Sequence, residues 1–129
     1  MGSRTAWRII NNVDAVTWLY SHWGGESKFS DTQSALIAAM PRWEDGSYGA
    51  RIFISQIVGK NWDLETGFGI SSTGFYQDSP FEESYFDTTI DFINQIVWMG
   101  SRQWSFSQFI HAEDCSAELV DEFYGEAVS

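Results

Sequence analysis

A group of carboxylates near the C-terminus has the spacing to face a row of positive charges. Glu118, Asp121 and Glu122 stand at positions i, i+3 and i+4, which in a helix places their side chains on one face, about 5–6 Å apart. Phosphates along one nucleic-acid strand repeat at a distance of the same order. We therefore predict that this face imitates a phosphate row and binds a cationic partner, together with the other acids of this part of the chain: Asp78, Glu82, Glu83, Asp87, Glu113 and Asp114.

A second group combines basic residues with large rings, a combination that suits nucleotides. The rings that could stack against a flat base are Trp18, Tyr20, Trp23, Trp43, Trp98 and Trp104. Of these, Trp18, Tyr20 and Trp23 are the predicted ligand contacts. A nucleotide also needs a basic contact for its phosphate, and Arg4, Arg8 and Arg51 are the candidates. The sequence leaves open the alternative that the rings fill the core of a small domain.

Other chemistry is not supported by the residue pattern. Gly67 and Gly69 could begin a dinucleotide-binding loop, but the next glycine is out of spacing and no helix follows. His22 and His111 have no ligand partner at helical or hairpin spacing, so no metal site is predicted. Cys115 stands among acids, whose charge raises the pKa of a thiol and suppresses the reactive thiolate. We predict no catalytic residue, no cofactor and no enzymatic activity.

Length and composition bound the class of protein. The chain has 129 residues, a net charge of −11 and 43% hydrophobic residues, of which many are aromatic. This length predicts one domain, over residues 1–129, and the apolar content excludes a disordered acidic chain. One cysteine excludes a disulfide framework. The negative charge argues against direct binding to nucleic acid or to an anionic membrane, since both are polyanions.

The negative charge is concentrated in one part of the chain. Residues 1–77 hold seven acids and six bases, whereas residues 78–129 hold 11 acids and a single base, Arg102. Solubility alone does not require this asymmetry, which favours an acidic surface that faces one way. A charged and solvated tail remains the competing interpretation.

The strands are predicted from runs of β-branched and aromatic residues. Residues 7–10 and 15–20 flank a turn and predict an opening hairpin. Residues 66–71 predict a third strand, whose glycines leave room on one face for the backbone of another element or for a large ring. Residues 85–92 and 96–99 predict a second hairpin.

Two helices are predicted between the first strands and the third. Ser30 and Gln33 form a capping box that predicts a helix start, and Pro41 ends that helix. Residues 50–58 have helical spacing and end at Gly59; a buried strand is the alternative, but the length and the glycine favour a helix.

The remaining segments complete the predicted fold. Residues 72–84 predict a long surface loop, and residues 104–110 a short helix or a last strand. A terminal helix begins near Asp114, with an apolar stripe formed by Ala117, Val120, Phe123 and Tyr124. The fold class is therefore α+β: an antiparallel sheet of about 4–5 strands with two or three helices packed on one face.

Several motifs resemble a group of small bacteriophage proteins. They are residues 1–4 (Met-Gly-Ser-Arg), 19–25 (Leu-Tyr-Ser-His-Trp-Gly-Gly), 42–46 (Arg-Trp-Glu-Asp-Gly), 50–53 (Ala-Arg-Ile-Phe) and 65–71 (Glu-Thr-Gly-Phe-Gly-Ile-Ser). The resemblance covers roughly residues 1–72 and leaves the acidic segment outside. It implies a phage origin and a location in the host cytoplasm, and it implies no particular chemistry.

Two functions from different classes follow from these observations, and an ordinary structural or assembly role for a phage protein is a third possibility. The first is an acidic inhibitor that imitates DNA and occupies a host nucleic-acid-binding protein, such as a restriction enzyme, a CRISPR effector, a nuclease or a polymerase. The second is a small-ligand module that binds or sequesters a nucleotide defence signal. Neither function requires direct contact with nucleic acid or a membrane, and the sequence leaves a homodimer open.

Overall fold

The computed structural model describes residues 4–23, 25–81 and 87–128. Glu82 and Glu83, and the first residues of the strand predicted over 85–92, lie outside these ranges, as do the side chains of Phe123 and Tyr124. The strands are Thr5–Ile10 (β1), Ala15–Ser21 (β2), Phe68–Gly74 (β3), Thr88–Asp91 (β4), Ile96–Met99 (β5) and Arg102–Ser105 (β6). The helices are Lys28–Ala38 (α1), Gly46–Val58 (α2), Phe106–Phe109 (α3) and Ser116–Val128 (α4).

The strands form one mixed sheet in the order β3-β2-β1-β4-β5-β6. The two predicted hairpins are confirmed: β1 pairs with β2 and β4 with β5, both antiparallel. The prediction of a purely antiparallel sheet of about 4–5 strands is wrong, because the sheet has six strands and β1 runs parallel to β4. This parallel pair joins distant parts of the chain, which local hairpin signals do not report.

All four helices contribute to the core on one face of the sheet. Phe29 and Leu36 of α1, Phe53 of α2, Phe106 of α3 and Leu119 of α4 belong to one buried cluster. The strand residues that face them are Trp7, Ile9, Leu19, Ile90, Val97 and Met99. Helices on one face were predicted, although four are present instead of two or three. We call the other side of the sheet the open face.

Helix boundaries follow local capping, with one correction. Asp45 caps α2 by accepting a hydrogen bond from the Tyr48 amide at 3.3 Å, and α2 ends at Gly59, whose φ is +59°. The helical interpretation of residues 50–58 is thus confirmed. The capping box at Ser30 is wrong, because α1 already begins at Lys28. The chain does contain a capping box, at Ser105, and it starts α3.

The predicted inner face of the terminal helix also needs correction. Among residues 116–122 of α4, Leu119, with 1% of its surface exposed, is buried in the core, and Val120 packs against the same cluster. Ala117, which was placed on the apolar stripe, is exposed. The buried face of α4 is thus shifted by one position from the predicted stripe. Glu118, Asp121 and Glu122 remain at the surface.

A lysine is buried where α1 meets β1. Lys28 has no exposed surface, and its Nζ donates to the Ala6 carbonyl at 2.9 Å and lies 5.4 Å from the centre of the Trp7 ring. The Trp7 indole N–H donates to Thr32 Oγ1 at 2.9 Å. Burying a charged group is costly unless it is hydrogen-bonded, so these contacts fix how α1 sits on the first strand.

Candidate functional site

The register of the sheet places chemically useful side chains in one row on the open face. Trp18 pairs with Arg8, Arg8 with Thr89, and Thr89 with Trp98, across the strands β2, β1, β4 and β5. Residues at paired positions point to the same face of a sheet. A guanidinium and a threonine hydroxyl therefore lie between two tryptophans, an arrangement that we call the cross-strand row.

Residues 75–81 pack over part of the open face, and we call them the strap. Phe75 and Phe81 pack against the second buried cluster, formed by Ala6, Ile10, Val16 and Trp18. The Phe81 ring stacks on Tyr20 with centroids 4.9 Å apart, and it lies against the space above Gly69. Trp18 is fixed beneath it, because its indole N–H donates to Thr73 Oγ1 at 2.7 Å. The expected approach of a large ring to the glycines of the third strand is thus confirmed.

A cleft with two lobes runs along the cross-strand row. The first lobe has a volume of about 640 Å³, and its described lining residues are Arg8, Trp18, Phe75, Tyr76, Gln77, Asp78, Ser79, Phe81, Asp87, Thr88 and Thr89. The second lobe, of about 340 Å³, is lined by Arg8, Ile10, Phe75, Asp87, Thr89, Asp91, Trp98 and Gly100. Rings and a few polar groups on a concave surface are typical of small-molecule sites.

Arg8 stands where the two lobes meet. One of its terminal nitrogens donates to the Phe75 carbonyl at 2.6 Å, and the guanidinium carbon lies 4.9 Å from the centre of the Phe75 ring. These contacts hold the guanidinium in place on the floor of the cleft. A guanidinium has five N–H donors and binds oxyanions with fixed geometry, so Arg8 can hold the strap and contact an anionic group as well.

The carboxylates of the cleft limit the negative charge that a bound ligand can carry. Asp78 and Asp87 are exposed, while Asp91 is buried and accepts hydrogen bonds from the Ile93 and Asn94 amides at 2.9 and 3.0 Å. Arg8 is the one basic residue among the described residues that line either lobe. One positive charge therefore faces two exposed negative charges.

The structure brings together only some of the residues predicted to bind a nucleotide. Arg8 and Trp18 line the first lobe, and Tyr20 adjoins it through Phe81. The other three do not line the cleft. Trp23 follows β2 and packs edge-on against Phe68; Arg51 is an exposed residue of α2, on the helix-covered side; and Arg4 is exposed at the start of β1.

The predicted partner-binding acids fall on opposite sides of the sheet. Asp78 and Asp87 line the cleft on the open face. Glu113, Asp114, Glu118, Asp121 and Glu122 lie on or just before α4, whose Leu119 enters the core on the helix-covered face. The described acids therefore do not form one continuous surface.

The acids around α4 also have different local roles. Glu122 forms a salt bridge with Arg102 at 3.1 Å, and the Asp114 carboxylate accepts hydrogen bonds from the Ser116 amide and hydroxyl. Glu118 and Asp121 remain exposed, and Asp121 shares a shallow depression with Glu26 from the loop before α1. We call Glu26, Glu118 and Asp121 the acidic patch. Glu26 comes from the near-neutral part of the sequence and was not among the predicted acids.

Cys115, at the foot of α4, does not have the environment of a nucleophile. Partial burial raises the pKa of its thiol, and the charge of Glu118 adds to this effect, although the neighbouring Arg102 acts in the opposite direction. The sequence interpretation described Cys115 as a small buried or inert residue and attributed its raised thiol pKa to acidic neighbours, whereas burial is the larger cause. A raised thiol pKa leaves little thiolate at neutral pH.

Several lining residues of the cleft were not predicted from the sequence. Phe75 and Tyr76 were assigned to a surface loop, and Thr89 was treated only as a strand residue, whereas Trp98 was named among the rings that could stack on a base but not among the ligand contacts. A signal did exist, because Thr89 and Trp98 alternate with the core residues Ile90, Val97 and Met99 and must face the other way. Within the described ranges, no cluster of three histidines, cysteines or acids could hold a metal ion.

Comparison with known proteins finds no match, so a function has to be assigned from this geometry. No family model, no curated protein and no solved structure matches the chain. In the described part of the chain, none of the helices has the length and apolar character needed to cross a membrane.

Proposed function

We propose that this protein is a small-ligand module, which binds a flat molecule of the nucleotide class in the cleft of the open face. The observation that carries the proposal is the convergence of Arg8, Trp18, Phe75 and Tyr76 on one lobe of about 640 Å³. The exposed ring of Tyr76 can stack on a base, the half-buried Phe75 and the buried Trp18 form the wall beside it, and the guanidinium can bind phosphate oxygens. Tyr76, with 95% of its surface exposed, can close onto a base with little rearrangement of the core.

The charge of the cleft limits a bound ligand to one negative charge. Arg8 neutralises one charge, whereas a second would lie close to the exposed carboxylates of Asp78 and Asp87. Like charges at short distance repel in the partly desolvated space of a cleft. Nucleotides whose phosphate is a diester therefore fit better than monophosphates or triphosphates. In a phage protein, the role would be to bind or sequester such a nucleotide signal of the host.

Replacing Arg8 by Gln tests this proposal. We expect adenosine 3′,5′-cyclic monophosphate, which has one charge, to bind the parent protein, and the Arg8→Gln variant to bind it about 10- to 150-fold more weakly, because a hydrogen bond from a charged group is lost. Isothermal titration calorimetry measures both affinities. Adenosine and adenosine triphosphate complete the panel and should bind more weakly than the cyclic nucleotide.

The matched control is Arg51→Gln, which removes a guanidinium on the helix-covered side and should leave the affinity unchanged. Thermal unfolding of the Arg8→Gln variant checks that the strap still packs. If cyclic nucleotides of all four bases leave both the heat signal and the melting temperature of the parent unchanged, the proposal is wrong, since a bound ligand at a hundred times its dissociation constant adds about 2.7 kcal/mol of stability.

We also infer a second candidate function, in which the acidic patch contacts a cationic host protein that normally binds nucleic acid. The observation in its favour is that Glu26 and Asp121 come from separate segments to one depression, with Glu118 exposed beside it. Clustered carboxylates speed association with a basic groove, and salt screens this effect. The phage origin that the sequence resemblance implies would make the partner a target of inhibition.

Charge reversal of the acidic patch tests this second function. We expect the variant with Glu26, Glu118 and Asp121 all changed to Lys to associate with its nucleic-acid-binding partner at least tenfold more slowly at low salt. The measurement is surface-based binding kinetics at low and high salt, with DNA as a competitor for the partner. Glu122 is left intact, because its change would also break the salt bridge with Arg102.

A control of equal charge uses the exposed acids Asp14, Glu44 and Asp63, changed together to Lys. Equal losses in both triple variants would mean that net charge alone governs binding. Unchanged binding of the patch variant would exclude the acidic patch as an interface.

A further inference from the structure

The two lobes of the cleft share one wall. Arg8, Phe75, Asp87 and Thr89 line both of them. The shared wall is stiff, because the Arg8 side chain holds the Phe75 carbonyl at 2.6 Å and lies under the Phe75 ring. The lobes are therefore two compartments of one groove, with the guanidinium at their junction.

A tryptophan lies in each compartment. Trp18 lines the first lobe and Trp98 the second, and both belong to the cross-strand row with Arg8 between them. Three strand spacings separate the two tryptophans, so their α-carbons are about 14 Å apart. Two flat groups could each contact a tryptophan only if the linker between them passed Arg8.

Trp98 is a large ring at a half-exposed position of the sheet, beside the second lobe. It is 42% exposed, whereas its neighbours in β5, Val97 and Met99, are buried in the core. A large ring at a half-exposed sheet position beside a cavity leaves apolar surface in contact with water, which is costly unless something covers it. The second lobe offers the space for a ring to do so.

We propose that the two lobes form one bipartite site for a ligand with two flat rings joined by a single anionic linker, which is the chemistry of a dinucleotide with one phosphodiester. This inference rests on the proposed function and specifies its ligand. The linker contacts Arg8, one base lies with Trp18, Phe75 and Tyr76, and the other stacks on Trp98. The bases are held apart, because the Arg8–Phe75 contact stands between the lobes.

The test compares ligands of equal charge that differ by one ring. The linear dinucleoside monophosphate ApA and adenosine 3′,5′-cyclic monophosphate each carry one negative charge. Stacking of one base on an aromatic side chain changes affinity about 5- to 150-fold, so ApA should bind the parent protein tighter than the cyclic mononucleotide by this factor. Calorimetric titration gives both values.

The Trp98→Leu variant tests whether the tighter binding of ApA comes from the second lobe. It should bind ApA with nearly the affinity that the parent protein has for the cyclic mononucleotide. Trp62→Leu makes the same substitution at a tryptophan that is 53% exposed and lines neither lobe, and it should alter neither affinity. If Trp98→Leu does not fold, the affinities of the parent protein for the two ligands still test the bipartite site.

The outcomes separate this inference from the proposed function. If the cyclic mononucleotide binds through Arg8 but ApA binds no tighter, the bipartite site is wrong and the proposed function stands. If neither ligand binds, both are wrong. The third ligand tested is a cyclic dinucleotide, which has two phosphodiesters. If it binds tighter than ApA, the assignment of a single anionic linker is wrong.

Discussion

Replacing Phe106 by Ala is expected to lower the free energy of unfolding by about 3–5 kcal/mol, the usual cost of removing a buried phenylalanine ring. Phe106 has no exposed surface. Its ring contacts Trp43 and Phe92, each with centroids 5.3 Å apart, and so joins the start of α3 to the segment before α2 and to the turn after β4. The substitution would leave a cavity lined by rings. These rings could fill it only if the backbone moved. Urea denaturation followed by fluorescence measures the change.

Two further variants calibrate that result. Phe106→Leu keeps most of the volume and should lose clearly less stability than Phe106→Ala. Val13→Ala, at a turn residue that is 72% exposed, should change stability by no more than about 0.5 kcal/mol. A loss below 1 kcal/mol for Phe106→Ala would contradict the packing described for α3.

The second large effect is expected at Lys28. Lys28→Ala removes a fully buried side chain together with its hydrogen bond to the Ala6 carbonyl and its contact with the Trp7 ring. A hydrogen bond from a charged group contributes about 1.5–3 kcal/mol, and the lost aliphatic stem leaves a cavity in addition. We expect a loss of about 3 kcal/mol or more, measured by chemical denaturation.

Lys28→Met separates the two contributions. Methionine fills the space of the stem without a charge, so this variant loses the hydrogen bond to the Ala6 carbonyl but keeps most of the packing. The Met variant should therefore be more stable than the Ala variant by 1 kcal/mol or more. Equal losses in both would mean that the hydrogen bonds of the ammonium group, and not packing of its stem, hold α1 on β1.

Local signals predicted the local parts of this fold. The opening hairpin, the helix that starts at Asp45 and ends at Gly59, and the β4–β5 hairpin were all found because turn and capping residues specify neighbouring segments. The parallel pairing of β1 with β4 was missed, since it depends on contacts between residues such as Arg8 and Thr89. Ser30 was misassigned as a cap because Ser30 and Gln33 have the capping-box spacing although both lie inside α1.

The site was predictable only in part for the same reason. Arg8 and Trp18 are neighbours in a hairpin, so the sequence could bring them together. Trp98 comes near them only because β4 pairs with both β1 and β5. Phe75 comes near them only because the strap packs over the sheet. The sequence also could not show that Arg51 and Trp23 lie away from the cleft, because helical and loop residues of suitable type carry no information about which side of a sheet they reach.

The parallel pair also governs the order in which the protein can assemble during synthesis. The central strand β1 leaves the ribosome among the first residues, whereas its neighbour β4 follows about 80 residues later, which at ~5–20 residues per second is a delay of several seconds. During that interval β1 can pair with β2, and α1 and α2 can pack on it, but one edge of the strand keeps its amides and carbonyls unpaired. Such an edge is a template for pairing with another nascent chain. Translation speed through residues 11–87 therefore sets how long each new molecule is exposed to aggregation, and slow codons in this stretch should reduce the yield of folded protein.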